Sequence, residues 1–172
     1  MSDYRLWSAT LAAVFLLGLP ALPISVAAQE ADKATVVLWQ PGDPGQRLNI
    51  RGRVMSTTGQ PLADTTVSLW QADGTGSYRD DRYRGQFQTD RDGSFRLATV
   101  MPAQYYGAKH IHLILDHPGY RSLRTRILFK GDPYVDEATE GDLAMILEEV
   151  RINDETVMVG DVEFVLQSLD NN

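Results

Sequence analysis

The chain contains no cysteine among its 172 residues. Disulfides are thereby excluded as a source of stability, and thiolate nucleophiles and thiolate metal sites go with them. Positive charge is also in short supply. The formal net charge is −7, which argues against nucleic acid and against an anionic membrane surface as partners. No internal repeat and no low-complexity tract interrupts the sequence, so a single domain with an appendage is the expectation. Long apolar runs are missing except at the N-terminus. There Arg5 precedes the uncharged stretch from Leu6 to Leu19, then come Pro20 and Pro23, and Val26-Ala27-Ala28 stand before Gln29. A short basic end, an apolar segment and a small-residue exit read as a secretory leader removed after Ala28. A retained membrane anchor is the alternative, since the wider run to Ala28 is just long enough to span a bilayer. The expectation is therefore export, to periplasm or medium, with no membrane contact once the leader is gone.

What remains is long enough to bury a core without staples. Residues 29–46 read as an extended lead-in, with turn chemistry at Pro41-Gly42-Asp43-Pro44-Gly45. Residues 47–170 are short alternating runs separated by turn signals, which predicts an all-β antiparallel β-sandwich with little helix. Leu48, Ile50 and Val54 share one face of a first strand, and Thr66 to Gln71 (TVSLWQ) forms a second. Gln86 to Thr89 and Ser94 to Thr99 flank Asp90-Arg91-Asp92-Gly93, whose Asp-Gly pair signals a hairpin. A calcium loop is the functional alternative for that acidic turn, but the other ligand positions of an EF-hand are missing. Lys109 to Asp116, Ser122 to Lys130 and Val162 to Leu166 supply further strands, and Asp142 to Glu149 (DLAMILEE) is the one candidate for a short helix.

The chemistry-bearing triplet is His110-Ile111-His112. Side chains two apart on a strand leave the same face about 6–7 Å from one another. Ile111, Leu113 and Leu115 then enter the core while both imidazoles project the other way, placed to share a metal; a solvated polar face is the alternative. His117, beside Pro118-Gly119, reads as turn rather than ligand. With cysteine absent, tyrosine is an available partner, at Tyr78 and at Tyr105 and Tyr106. A free phenol has a pKa near ~10 and ligates poorly. A strongly charged cation deprotonates it, and the hard phenolate oxygen then suits Fe(III). For a tyrosine taken at random, ordinary packing with a surface hydroxyl is the competing explanation.

A series of motifs stands in order along the chain: Pro44-Gly45-Gln46 leading to Gly52-Arg53-Val54, Gly59-Gln60-Pro61-Leu62, Val67-Ser68-Leu69-Trp70-Gln71-Ala72-Asp73, Gly76-Ser77-Tyr78, Arg84-Gly85, the Asp-Gly turn, Pro102-Ala103-Gln104-Tyr105, His110-Ile111-His112 and Gly131-Asp132-Pro133. Most of these are shared with other β-sandwiches. A tryptophan-glutamine strand with tyrosine eight residues after the tryptophan, then Pro-x-x-Tyr, then His-x-His, is more particular. On these residues the chain from about Trp39 to Leu166 resembles the intradiol ring-cleavage dioxygenases, whose sandwich is prealbumin-like.

The resemblance implies one ferric ion, Fe(3+), held by Tyr78 and His110 as the equatorial pair and by Tyr105 and His112 as the axial pair, with Tyr106 the competitor for the Tyr105 role. It implies a catechol-type aromatic diol and dioxygen as the small-molecule partners, a muconate-type diacid as product, and no organic cofactor. Tyr105 falls on the labile ligand that acts as base. Trp70 matches a position near the active site, with buried packing as the alternative. Two positions depart from the family pattern. Gly107 stands where an arginine precedes the histidine pair, and Arg126 stands where the next strand carries glutamine. Arg126 is the candidate to restore the positive charge, against the alternative of a solvated residue beside Arg124. Lys109 is expected on the core side of its strand. Two other readings stay open: an exported binding module, and an iron-binding relative without turnover. A homo-oligomer packed through the lead-in segment is compatible with all three.

Overall fold

A computed structural model of the protein describes residues 33–78, 82–136 and 144–170. The expected leader and the first residues of the lead-in lie outside them. Ten strands follow one another: β1 (Thr35–Val37), β2 (Arg47–Ser56), β3 (Thr66–Gln71), β4 (Arg84–Gln88), β5 (Ser94–Val100), β6 (His110–Asp116), β7 (Leu123–Phe129), β8 (Ala144–Met145), β9 (Leu147–Ile152) and β10 (Glu155–Leu166). They form two five-stranded sheets, ordered β1-β5-β2-β10-β9 and β4-β3-β6-β7-β8. The all-β sandwich is therefore as expected, and all ten named elements among the described residues are strands.

Alternation builds the interior. In β2 the residues Leu48, Ile50 and Val54 are buried, and in β6 so are Ile111, Leu113 and Leu115, while their neighbours face out. The inward rows of the two sheets meet as one cluster that also takes in Val67, Leu69, Leu97, Ile127 and Phe129. Each such side chain contributes roughly 1.5–3 kcal/mol through removal from water. Gly52 leaves room for the Phe95 ring: a Cβ there would lie 2.0 Å from the ring's Cζ.

Three expectations are corrected. The sheets are not purely antiparallel, because β1–β5, β2–β10 and β7–β8 pair in parallel. The Asp90–Gly93 turn does not close a hairpin. β4 pairs with β3 in one sheet and β5 with β1 and β2 in the other, so the turn carries the chain across the sandwich. Its local chemistry is that of a hairpin turn, with Gly93 at φ 75 and Asp90 Oδ1 accepting from the Ser94 amide. The two strands then diverge to opposite sheets, where Phe87 and Phe95 meet across the core at 5.1 Å. Third, the described part of the candidate helix is strand. Ala144–Met145 extends the sheet beside Leu128 and Phe129, and Leu147–Ile152 is the antiparallel edge partner of β10. Met145, buried against Gly160, anchors this stretch in the core.

Candidate metal centre

The outer face of the second sheet carries the histidines. β6 pairs antiparallel with β3 and β7, so Trp70, His112 and Arg126 lie side by side across three strands. Register also sets His110 opposite Leu128, which is covered by Ala108 and Val135. β3 ends at Gln71, opposite Ile111. The loop leaving β3 and the loop arriving at β6 therefore emerge at the same end of the sheet, beside His110. Those two loops carry Tyr78 and Tyr105.

Buried polar groups hold the loops together. Gln71 Nε2 donates to the carbonyls of Ala72 (3.0 Å) and Val100 (2.9 Å), and its Oε1 accepts from the Thr99 hydroxyl at 3.1 Å. The buried Asp73 carboxylate accepts from the amides of Thr75 (2.8 Å) and Ser77 (3.0 Å) and from the Thr75 hydroxyl. Its backbone carbonyl accepts from the Ala103 amide at 2.9 Å. Asp73 thus shapes the turn that delivers Tyr78 and ties it to the segment that delivers Tyr105. Neither Gln71 nor Asp73 was singled out as functional by sequence reasoning; the available signal was Asp73-Gly74-x-Gly76, a turn in which an aspartate caps its own backbone.

The geometry of the four candidates falls into two pairs. The Tyr78 and Tyr105 rings meet edge-on at 5.1 Å, both partly exposed. The His110 and His112 Nε2 atoms approach to 3.0 Å. Among the described residues no hydrogen bond or ring contact joins a tyrosine of this set to a histidine; the pairs share one end of one sheet. Tyr106 packs edge-on against Tyr105 at 4.8 Å but is 91% exposed and sits at φ 46. Trp70 is half-buried and stacks on His112 at 4.8 Å, so it meets the site as well as packing. Arg126 is exposed directly beside His112. Lys109 is half-buried, and His117 lies at the opposite end of β6, edge-on to Tyr120.

The donor set fits a cation. A carbonyl only accepts, so the 2.7 Å contact between His110 Nδ1 and the Ala108 oxygen fixes the proton on Nδ1 and leaves Nε2 bare in the neutral ring. Two metal–nitrogen bonds of about 2.1 Å meeting near a right angle set nitrogens about 3 Å apart, which is the spacing found here. No group of three His, Cys, Asp or Glu side chains gathers among the described residues. No third side chain of those types is available to a metal at the histidine pair among the described residues, and the tyrosine pair at the same end of the sheet carries oxygen donors.

Electrostatics favours the ligating form of one partner and resists that of the other. Burial first, then His110 and Arg126, push the His112 pKa below its ordinary value, keeping the ring neutral. Burial and then Tyr105 push the Tyr78 phenol up, so without a cation it keeps its proton. In the metal-free protein, NMR titration of ring carbons is expected to show His112 protonating below the usual ~6.5. The unfolded chain takes up that proton first, so folding weakens as pH falls from about 6.5 toward the folded-state value. A His112 that titrates at or above 6.5 would contradict the burial argument.

A model of the dioxygenase family matches residues 21–168. The chain is 28% identical over 157 residues to the chlorocatechol 1,2-dioxygenase of Rhodococcus opacus, covering 73% of this chain and 61% of that protein. The chain belongs to the intradiol ring-cleavage dioxygenase family. The sandwich is shared with a solved relative: the crystal structure of the 3-chlorocatechol 1,2-dioxygenase from Rhodococcus opacus superposes with a TM-score of 0.72 at 26% identity, covering 80% of this chain and 66% of that one. The dioxygenase domain of a dioxygenase–carbohydrate-binding fusion from Streptomyces sp. SirexAA-E superposes at 0.63 and 30% identity, covering 77% of this chain and 86% of that one. This intradiol family member spans about half to three-fifths of the length of the curated relatives it matches.

Proposed function

We propose that the protein is a non-haem Fe(III) dioxygenase that opens a catechol-type ring between its two hydroxyl-bearing carbons, giving a muconate-type diacid. The observation that carries this reading is the meeting of His110 Nε2 and His112 Nε2 at 3.0 Å, at the end of the sheet where Tyr78 and Tyr105 converge. Membership of the family and the naming of relatives as catechol-type 1,2-dioxygenases support it.

Ferric iron held by Tyr78, Tyr105, His110 and His112 would draw electron density from a bound diol and make the ring reactive toward dioxygen. The rest is the protein's work. The Ala108 carbonyl fixes the tautomer of His110. Trp70, stacked on His112, holds that ring in place. Tyr105, the more exposed of the two tyrosines, would accept a proton from the diol at its phenolate oxygen as the substrate docks. Arg126, beside His112, offers positive charge to the substrate anion where Gly107 replaces the family's arginine. On the strength of the leader pattern at residues 1–28, the proposal places this activity outside the cytoplasm.

The test is made on protein purified without its leader. Stoichiometric iron, a visible absorption band, oxygen uptake with catechol and accumulation of a muconate are the expected results. Iron and colour without oxygen uptake across a panel of catechols would instead leave a metal-binding relative lacking turnover, the outcome that the missing arginine at Gly107 favours. A colourless, iron-free protein would sink both.

A further inference from the structure

The row Trp70–His112–Arg126 continues one strand further. β4 pairs with β3 so that Arg84 lies directly opposite Trp70, on the same outer face. Across four strands the face therefore reads Arg84, Trp70, His112, Arg126. With strands about 4.8 Å apart, Arg84 stands roughly 10 Å from His112 on the Trp70 side, and Arg126 about 5 Å away on the other.

Three features make Arg84 more than a solvated residue. First, its guanidinium makes no hydrogen bond, ion pair or ring contact among the described residues, although carboxylates abound in a chain of net charge −7. Second, the charged side chains that β3, β4, β6 and β7 present on this face are Arg84, Arg124, Arg126 and a lone carboxylate, Asp116, so the face is positive where the chain is negative. Third, an open recess of about 590 Å³ lies at this edge of the sheet, lined by Ser68, Leu69, Trp70, Arg84, Gly85 and Gln86. Positive charge focused in such a recess draws anions from solution.

We infer that Arg84 is a specificity residue, and that the diol taken by this site carries a carboxylate on a short side chain. This rests on the reading of the histidine pair as the diol's docking point. A carboxylate set directly on the ring stays near Arg126. One carried at the end of a two- or three-carbon arm extends past the half-buried Trp70 toward the Arg84 fork, where charge-assisted hydrogen bonds await it. The substrate class is a dihydroxycinnamate-like aromatic acid rather than a bare catechol.

The deciding experiment has two arms, both on the full mature chain. In the first, binding of cinnamate and of its neutral amide is measured by calorimetry, without any diol or turnover. Cinnamate is expected to bind roughly five- to tenfold more tightly. That preference is lost in Arg84→Gln and restored in Arg84→Lys, which keeps the charge. The inference is overturned by equal binding of acid and amide, by a preference that survives Arg84→Gln, or by one that depends on Arg126→Gln alone. In the second arm, oxygen uptake by the iron-loaded protein is compared for 3,4-dihydroxycinnamate, 3,4-dihydroxybenzoate and catechol. The expected order of KM has the cinnamate lowest, with Arg84→Gln raising its KM roughly five- to tenfold and changing the ratio to catechol. No uptake with any diol would count against the dioxygenase reading, while the binding arm judges Arg84 independently.

Discussion

Replacing Tyr78 with phenylalanine is expected to lower iron affinity by at least about 100-fold, the upper end of what losing a mere outer-shell partner costs a metal site, so that the visible colour is lost with the metal. Replacing Tyr105 should act differently. Its band is expected to weaken and shift but persist, while oxygen uptake falls by about 10²–10⁴, the range for removal of a general base. The difference follows from the surroundings. Among the described residues the site offers no third His, Cys, Asp or Glu, so the two phenols are the available source of anionic ligation. Burial pushes the Tyr78 phenol up; only a cation displaces its proton, and once bound it stays bound. Tyr105 is 45% exposed and contacts Tyr106 on its solvent side, which suits a ligand that leaves when the diol docks. Visible spectra, metal titrations and oxygen-electrode rates on the two variants check this. Full oxygen uptake by Tyr105→Phe would remove Tyr105 from the chemistry, and unchanged colour in Tyr78→Phe would remove Tyr78 from the ligand set.

How much of this was legible in the sequence depends on the range of the interaction that decides each feature. Alternation in His110 to Asp116 is local, and it correctly sends Ile111, Leu113 and Leu115 inward and both histidines out. The same holds for Thr66 to Gln71, where Val67 and Leu69 are buried and Trp70 faces the site. The turn at Asp90–Gly93 was misread because a hairpin turn and a corner between sheets use the same residues. What separates them is that Phe87 belongs with β3 and Phe95 with β2, a fact about distant strands. DLAMILEE failed for a related reason. An apolar run that brief fits either period, and pairing with β7 and β10 settled it. Gln71 and Asp73 were invisible as organisers because their partners, Thr99, Val100 and Ala103, come from another sheet and loop. The Arg84 row needs strand register, which no local pattern specifies.

Gly74→Ala is expected to separate folding from the site. A Cβ at Gly74 would lie 2.1 Å from the Pro44 carbonyl oxygen and 2.6 Å from the Gly45 Cα. Both are backbone atoms, so no side chain can swing aside, and one of two segments must move. Pro44 has little freedom: Asp43 caps the Gln40 amide at 2.8 Å and is paired with Arg82, and the Gln46 carbonyl accepts from the Met101 amide at 2.7 Å. The Gly74 side must then give, and it is the turn organised by Asp73, five residues before Tyr78. Overpacking of this kind costs about 1–3 kcal/mol, a fall in Tm of about 3–10 °C for a domain of this size. Iron affinity should fall with it, because Tyr78 is displaced from Tyr105. Gly52→Ala is the contrasting variant. Its Cβ would collide with the Phe95 ring in the core, so Tm should drop at least as far while the folded fraction still binds iron normally. Calorimetric melts and iron titrations on both variants draw the line. Should Gly74→Ala lose stability yet bind iron as tightly as the parent, Tyr78 would not be held in the metal centre by this turn, and the link from the lead-in through Asp73 to the site would be broken.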